Sequence, residues 1–162
     1  MTGGSLFSSL PETTIIGRLV IAMALGACIG LDREMKRRPA GLRTHMLVAL
    51  ASAAFTLITI EVYQETMQAP GSNPGTRADP IRIVEAVTAG VAFIAAGAII
   101  RPSGGDVQGV TTGAAIWLAG AIGVACGIGY YTVAVGATAL AILVLQVLGW
   151  VETRVLGTDS ED

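Results

Sequence analysis

The chain has 162 residues, 52% of them hydrophobic and only 14% charged, with a mean hydropathy of +0.67; that balance excludes an ordinary water-soluble domain and makes a lipid bilayer the solvent. The formal net charge of -2 conceals a separation, since basic residues gather in one connector while Asp159, Glu161 and Asp162 form an acidic tail. The pattern also argues against a nucleic-acid-binding protein.

Residues 1–14 contain no basic residue ahead of an apolar core and no small-residue cleavage site, so no removable signal peptide is expected and the first span is retained. Apolar stretches of bilayer-crossing length follow at 14–31, 43–62, 81–100, 110–128 and 130–151. Open strands cannot cross lipid because their edge amides would have no partners, so all five are read as helices. The expected fold is all-α, a polytopic membrane helix bundle with a transmembrane domain over 1–152 and a short acidic tail over 153–162.

The connector at 32–42 fixes the orientation. Arg33, Lys36, Arg37 and Arg38 lie in it and Arg43 at its boundary, together half of the ten Lys and Arg residues. Basic connectors stay on the cytoplasmic side, so this loop, the loop at 101–109 with Arg101, and the C-terminus with Arg154 are placed inside. The N-terminus and the loop at 63–80 fall outside, with Arg18, Arg77 and Arg82 near that surface. Turn formers crowd residues 69–76, and residues 129–131 leave room only for a tight turn.

Small residues predict where helices touch. Ala22, Gly26 and Gly30 recur every four positions in the first span, as do Ala115, Ala119, Gly123 and Gly127 in the fourth, giving ridges that let backbones approach closely. The fifth span carries Ile142, Leu143, Val144, Leu145, Val147 and Leu148, bulk suited to lipid or to a second subunit. Trp150 and the pair Tyr130 and Tyr131 fit interfacial anchors at its two ends. Cys28 and Cys126 stand singly in apolar surroundings and read as small hydrophobes.

Charged side chains inside spans are costly, about 2.5–3.5 kcal/mol on insertion scales, and each needs a partner or a purpose. Arg18 and Glu85 lie at similar depth and are candidates for an ion pair. Asp79-Pro80 reads as a helix start, with Asp capping and Pro at the first helical position. Arg18, Asp79, Arg82 and Glu85 thus form an expected charge network near the outer boundary, either a proton or cation relay or a helix-locking set of salt bridges.

On the second span His45, Ala49, Ser52, Thr56 and Thr59 share one face that should point into the bundle. His45, the sole histidine, is either a pH-sensitive group or a hydrogen-bonded interfacial side chain. On the inner side, Asp32, Glu34 and Asp106 could offer oxygens to a hard cation such as magnesium; the competing reading pairs them with Arg33, Arg43 and Arg101. Gly104, Gly105 and Gly109 precede Thr111-Thr112 and a new helix, which suggests an anion cradle or, more simply, threonine capping. No Ser-His-Asp order, Cys-His pair, HExxH or CxxC occurs, so no enzyme activity is expected.

Several ordered blocks resemble the MgtC/SapB family of bacterial membrane proteins. They are Arg18-Leu19, Leu25-Gly26, the run from Ile29 to Glu34 and the run from Ala40 to Val48 in the first half. In the second half they are the run from Asp79 to Ile83, the segment from Gly90 to Ile100 with Phe93 and Ala96-Gly97, Arg101, and Val107 through Gly109 to Thr111-Thr112 and Trp117. The resemblance covers residues 17–131. It implies an inner-membrane protein of about five spans, associated with adaptation to low magnesium and, in pathogens, with survival inside host cells. The founding member is reported to act on the ATP synthase, and magnesium transport is a disputed annotation. The family's charged blocks fall here on Arg18, Asp32, Arg33, Glu34, Arg43, Thr44, His45, Asp79, Arg82 and Arg101, with Thr111 and Thr112 beside them. Well-known members add a soluble cytoplasmic domain that this sequence lacks, so regulation through that domain is not expected.

The leading expectation is an inner-membrane modulator that works through helix contacts with a membrane partner, linked to magnesium limitation and forming a homodimer through a small-residue face. No resident cofactor is expected. The alternative is a magnesium, proton or other cation transporter that uses Glu85, Asp79 and the His45 stripe.

Overall fold

The computed structural model of the protein describes residues 10–68, 81–101, 105–148, 150 and 154. Among them lie five α-helices and no strand: α1 (Glu12–Met35), α2 (Leu42–Gln68), α3 (Ile81–Gly97), α4 (Val110–Ile128) and α5 (Tyr131–Leu143), the last running into a π-turn at Val144–Leu148. α1, α2 and α4 are long and apolar enough to cross a membrane. The 17 residues of α3 rise about 26 Å, just short of a bilayer's hydrocarbon core.

The observed helices depart from the expected spans mainly at their ends. α2 continues past residue 62 to Gln68 because nothing in Glu61 to Gln68 breaks a helix. α3 stops at Gly97 because the chain tightens there, with Ala98 and Ile99 donating to the carbonyls of Ala95 and Ala96, and then doubles back. Ile100 and Gln108 exchange both backbone hydrogen bonds at 3.0 and 2.9 Å, an isolated antiparallel bridge that closes the α3–α4 connection. Threonine capping of α4 does not occur. Its cap is Gly109, held at φ 84, with no side-chain hydrogen bond, because a Cβ at that position would run into the carbonyl of Ala98.

α4 is the axis of the bundle, touching every other helix and burying most of its residues from Thr112 to Gly127, with one face, Ala114, Trp117 and Ala121, left exposed. The small-residue ridges explain how. On α1, a Cβ at Gly26 would stand 2.6 Å from the His45 carbonyl oxygen, and one at Gly30 would stand 2.7 Å from Leu42 Cα. On α4, a Cβ at Gly123 would collide with the Ala49 carbonyl, and one at Gly127 would stand 2.7 Å from Thr56 Cβ. Both ridges are therefore spent on α2, one on each flank, and the expectation of close packing for these two spans holds.

α5 packs through Ala134, Thr138 and Ala141 and exposes Val133, Val135, Leu140, Leu143, Val144 and Val147. Ile142 and Leu145 are half-buried, so the face suited to lipid is centred slightly away from where the sequence suggests. Trp150 is exposed, with the Arg154 guanidinium 5.6 Å from its ring centroid, and Tyr130 and Tyr131 are exposed at the other end of α5.

Candidate functional site: the buried polar end of the bundle

α1 ends, and α2 and α4 begin, at the same end of the molecule, and four polar residues of that end are enclosed. Asp32, Arg33, His45 and Thr112 are 4%, 3%, 0% and 0% exposed, unusual for charged groups, which are almost never fully buried unless paired. The Arg33 guanidinium donates from Nη2 to Thr112 Oγ1 at 2.6 Å, joining the end of α1 to the first turn of α4. Beneath it, His45 Nδ1 lies 2.8 Å from the Gly41 carbonyl. A carbonyl only accepts, so Nδ1 carries the proton and a neutral ring keeps its lone pair on Nε2. Nε2 and Arg33 Nε are both buried without a hydrogen-bond partner.

The connector between α1 and α2 is shaped by hydrogen bonds to its own ends. α1 closes in a Schellman motif: the Arg38 N–H bonds the Arg33 carbonyl and the Arg37 N–H bonds that of Glu34, each at 3.0 Å. Arg37 adopts φ 54, where glycine is usual. Glu34 Oε2 accepts from the Leu42 N–H at 2.9 Å, capping α2 from outside its own sequence and favouring the positive end of the helix dipole. A Cβ at Gly41 would overlap the Glu34 carboxylate, so a side chain there would displace this cap. Lys36 Nζ lies 3.1 Å from Asp32 Oδ2 and donates to the Leu145 carbonyl at 2.8 Å, tying the π-turn after α5 to the same end.

These contacts divide the sequence-derived motif. Asp32, Arg33, His45 and Thr112 are brought together inside. Arg43, Arg101, Thr111 and Asp106 are exposed, Thr44 is half-buried, and Glu34 lies at the surface. Among the described residues no group of three or more His, Cys, Asp or Glu side chains is placed to hold a metal ion; Asp32 and Glu34 are engaged by Lys36 and by α2 instead of converging with Asp106.

The expected outer charge network does not assemble among the described residues. Arg18, on α1, donates from Nη1 to the Gly127 carbonyl at 2.7 Å, so it caps the C-terminal end of α4, where a cation also complements the helix dipole. Its guanidinium lies against Gly129, which has φ 98 and whose hypothetical Cβ would stand 3.0 Å from Nη2. Arg82 and Glu85 are exposed on α3, on the flank of α4 away from Arg18, and no ion pair joins Glu85 to Arg18 among the described residues. Asp79 and Arg77 lie outside the described residues, as do Gly104 and the turn-rich segment 69–76.

The polar face of α2 is where the sequence puts it. His45, Ala49, Ser52 and Thr56 are buried and Thr59 is half-buried. Thr56 and Thr59 return their hydroxyls to the carbonyls of Ser52 and Phe55, at 2.8 and 2.9 Å, so the helix satisfies its own hydroxyls. Arg18's carbonyl partner and the Arg33–Thr112 pairing escaped the sequence reading. The first has no signal, because backbone acceptors carry no letter; the second had one, in an arginine and a threonine at span ends that the sequence reading puts on the same side of the membrane.

A model described as the MgtC family matches residues 19–154. The protein SapB of Bacillus subtilis is 34% identical over 160 residues, covering 95% of this chain and 64% of its own length. YhiD of Escherichia coli K12, by its name a candidate magnesium transporter, is 35% identical over 142 residues, 88% of this chain and 63% of its own. The protein MgtC of Salmonella typhimurium is 39% identical over 120 residues, 74% of this chain and 46% of its own. The chain thus spans about half to two thirds of the length of the curated relatives it matches. No solved structure matches it significantly.

Proposed function

This chain belongs to the MgtC family, and from that membership and the packing of its polar end we propose that it is a non-enzymatic inner-membrane modulator. In this reading it acts through helix contacts on another membrane protein, the ATP synthase being one candidate, when magnesium is limiting. The end that carries Arg33, Lys36, Arg37 and Arg38 faces the cytoplasm.

One observation carries the proposal: the only long polar stripe of the described helices, His45 to Thr56 on α2, is closed on one flank by Gly26 and Gly30 of α1 and on the other by Gly123 and Gly127 of α4. Backbones this close leave no room for a hydrated file of ions, and the Arg33–Thr112 bond lies across the inner mouth. Selective conduction needs several lining groups that converge to replace an ion's water shell, and Thr56 and Thr59 instead turn their hydroxyls back onto carbonyls of their own helix.

Purified protein in liposomes, loaded with magnesium- and pH-sensitive dyes, should therefore show flux no greater than empty vesicles. Flux above that level that disappears in Glu85→Gln would overturn the proposal. The transporter reading is favoured by the buried, unpartnered Nε2 of His45 and by the wording of YhiD's name. It requires His45→Gln to abolish transport without loss of folding.

A further inference from the structure

The helix ridges that ordinarily mediate oligomer contacts, on α1 and α4, are occupied by α2, so a contact with another molecule must use a different surface. α3 supplies it. Its inner side, Val87, Val91 and Ala95, is buried against the bundle. On the opposite side, at three- and four-residue spacing, stand Arg82, Glu85, Ala89, Ala92, Phe93 and Ala96, all exposed, with Phe93 at 83%. The lipid-facing side of α5 is different: Val133, Val135, Leu140 and Leu143 are all branched aliphatics. The α3 face instead combines alanines, which let a second backbone approach, with two opposite charges in the first turns of the helix, which an apolar lipid face does not call for. No ion pair joins either charge to another group among the described residues.

We propose that this face of α3 joins two copies of the chain about a two-fold axis along the membrane normal, with Arg82 of each copy paired to Glu85 of the other. The inference rests on the membrane-spanning reading, and stands whether or not the protein conducts ions. Copies inserted by the same route are parallel, so equivalent residues meet at equal depth and the interface must be self-complementary. Arg82 and Glu85 meet that demand. They are three residues apart, about 4.5 Å along the axis, a step that an arginine side chain spans, and they flank Ala89 on opposite sides, so a two-fold through Ala89 places each cation against the other copy's carboxylate. Phe93 of one copy then lies over Ala92 of the other, large against small.

The test uses the full chain in native membranes, in a Cys28→Ser background that leaves only the buried Cys126. Under mild oxidation Ala89→Cys should give a disulfide-linked dimer as the main product, and Leu140→Cys on α5 at least ten-fold less. Adding Arg82→Glu should weaken dimerisation by about ten-fold, the scale of an interhelical polar contact in lipid. Adding Glu85→Arg to that variant should restore it, a result that a folding defect could not produce. The proposal fails if Ala89→Cys remains monomeric, as it would were the face covered by residues 69–80 or by a different protein's helix. It fails equally if the two α3 and α5 cysteines cross-link alike, or if the charge swap does not rescue.

Discussion

Arg33 and Thr112 are separated by 79 positions, and their hydrogen bond is what turns the C-terminal end of α1 and the N-terminal end of α4 into one unit. Removing the hydroxyl by Thr112→Val keeps shape and volume but leaves a buried guanidinium short of an acceptor. We expect a loss of about 1–3 kcal/mol, the range for stranding a buried charged donor, read as a lower unfolding midpoint in detergent, with Thr112→Ser close to wild type. A midpoint unchanged in Thr112→Val would mean that water or another group serves Arg33 equally well. The residues of this cluster were legible in the sequence only as members of the motif blocks, with Arg33 placed in the basic connector and not inside the bundle. Their connections were not. Helical periodicity gives depth and face, but which neighbour lies across a given face depends on packing order. Arg18 and Glu85 illustrate the limit, because they share a depth and yet Arg18 meets the Gly127 carbonyl while Glu85 points away from the bundle's centre.

Helices in lipid gain little from hiding apolar surface and depend on close fit, so the glycines of α1 and α4 matter more than the large residues around them. A methyl added at Gly123 meets the backbone carbonyl of Ala49, which cannot step aside as a side chain can. Gly123→Ala should cost about 1–3 kcal/mol, typical of overpacking. Gly90, on α3, has nothing within 4 Å of its would-be Cβ, and Gly90→Ala should leave stability equal or raise it by up to about 1 kcal/mol through helix propensity. Thermal unfolding of both variants in one detergent would check the contrast, and equal effects would contradict the assignment of α4's ridge to α2. The four-residue repeat made both ridges readable in advance. That both are directed at the same helix was not readable, because the repeat marks a contact surface without naming what lies on it. Helix ends were harder still. The early stop of α3 follows from the Ile100–Gln108 bridge, a pairing between residues whose side chains give no strand pattern.

For the whole molecule, the consequence is a bundle in which α4 is the most enclosed helix, α2 packs its polar stripe against α1 and α4 while its opposite face, with Leu47, Phe55, Ile58 and Val62, stays exposed, and α3 and α5 lie at the periphery. The buried core sets alanines, with Ala22, Ala49, Ala53, Ala119 and Ala134 at 0% exposure, around a few large side chains such as Ile29, Ile116 and Ile122, and the polar stripe of α2 is part of that packing. A protein built this way suits contact with other membrane helices through its outer faces. Membership of the MgtC family and a helical membrane architecture could both be read from the sequence, because composition, spacing of spans and ordered motif blocks all agree. The sealing of the stripe could not, since a line of His, Ser and Thr looks the same whether it borders water or glycine.

Accessibility of that stripe decides the matter most directly. In a chain freed of its native thiols by Cys28→Ser and Cys126→Ala, Ser52→Cys and Thr56→Cys would be treated with a membrane-impermeant, water-borne thiol reagent from each side of the membrane in turn, with Lys36→Cys as the exposed reference. A closed bundle predicts that Lys36→Cys reacts fully from one side and that the two α2 positions react at neither, at least a hundred-fold more slowly. Reaction of Ser52→Cys at a rate near that of Lys36→Cys would reveal water along α2 and contradict the account.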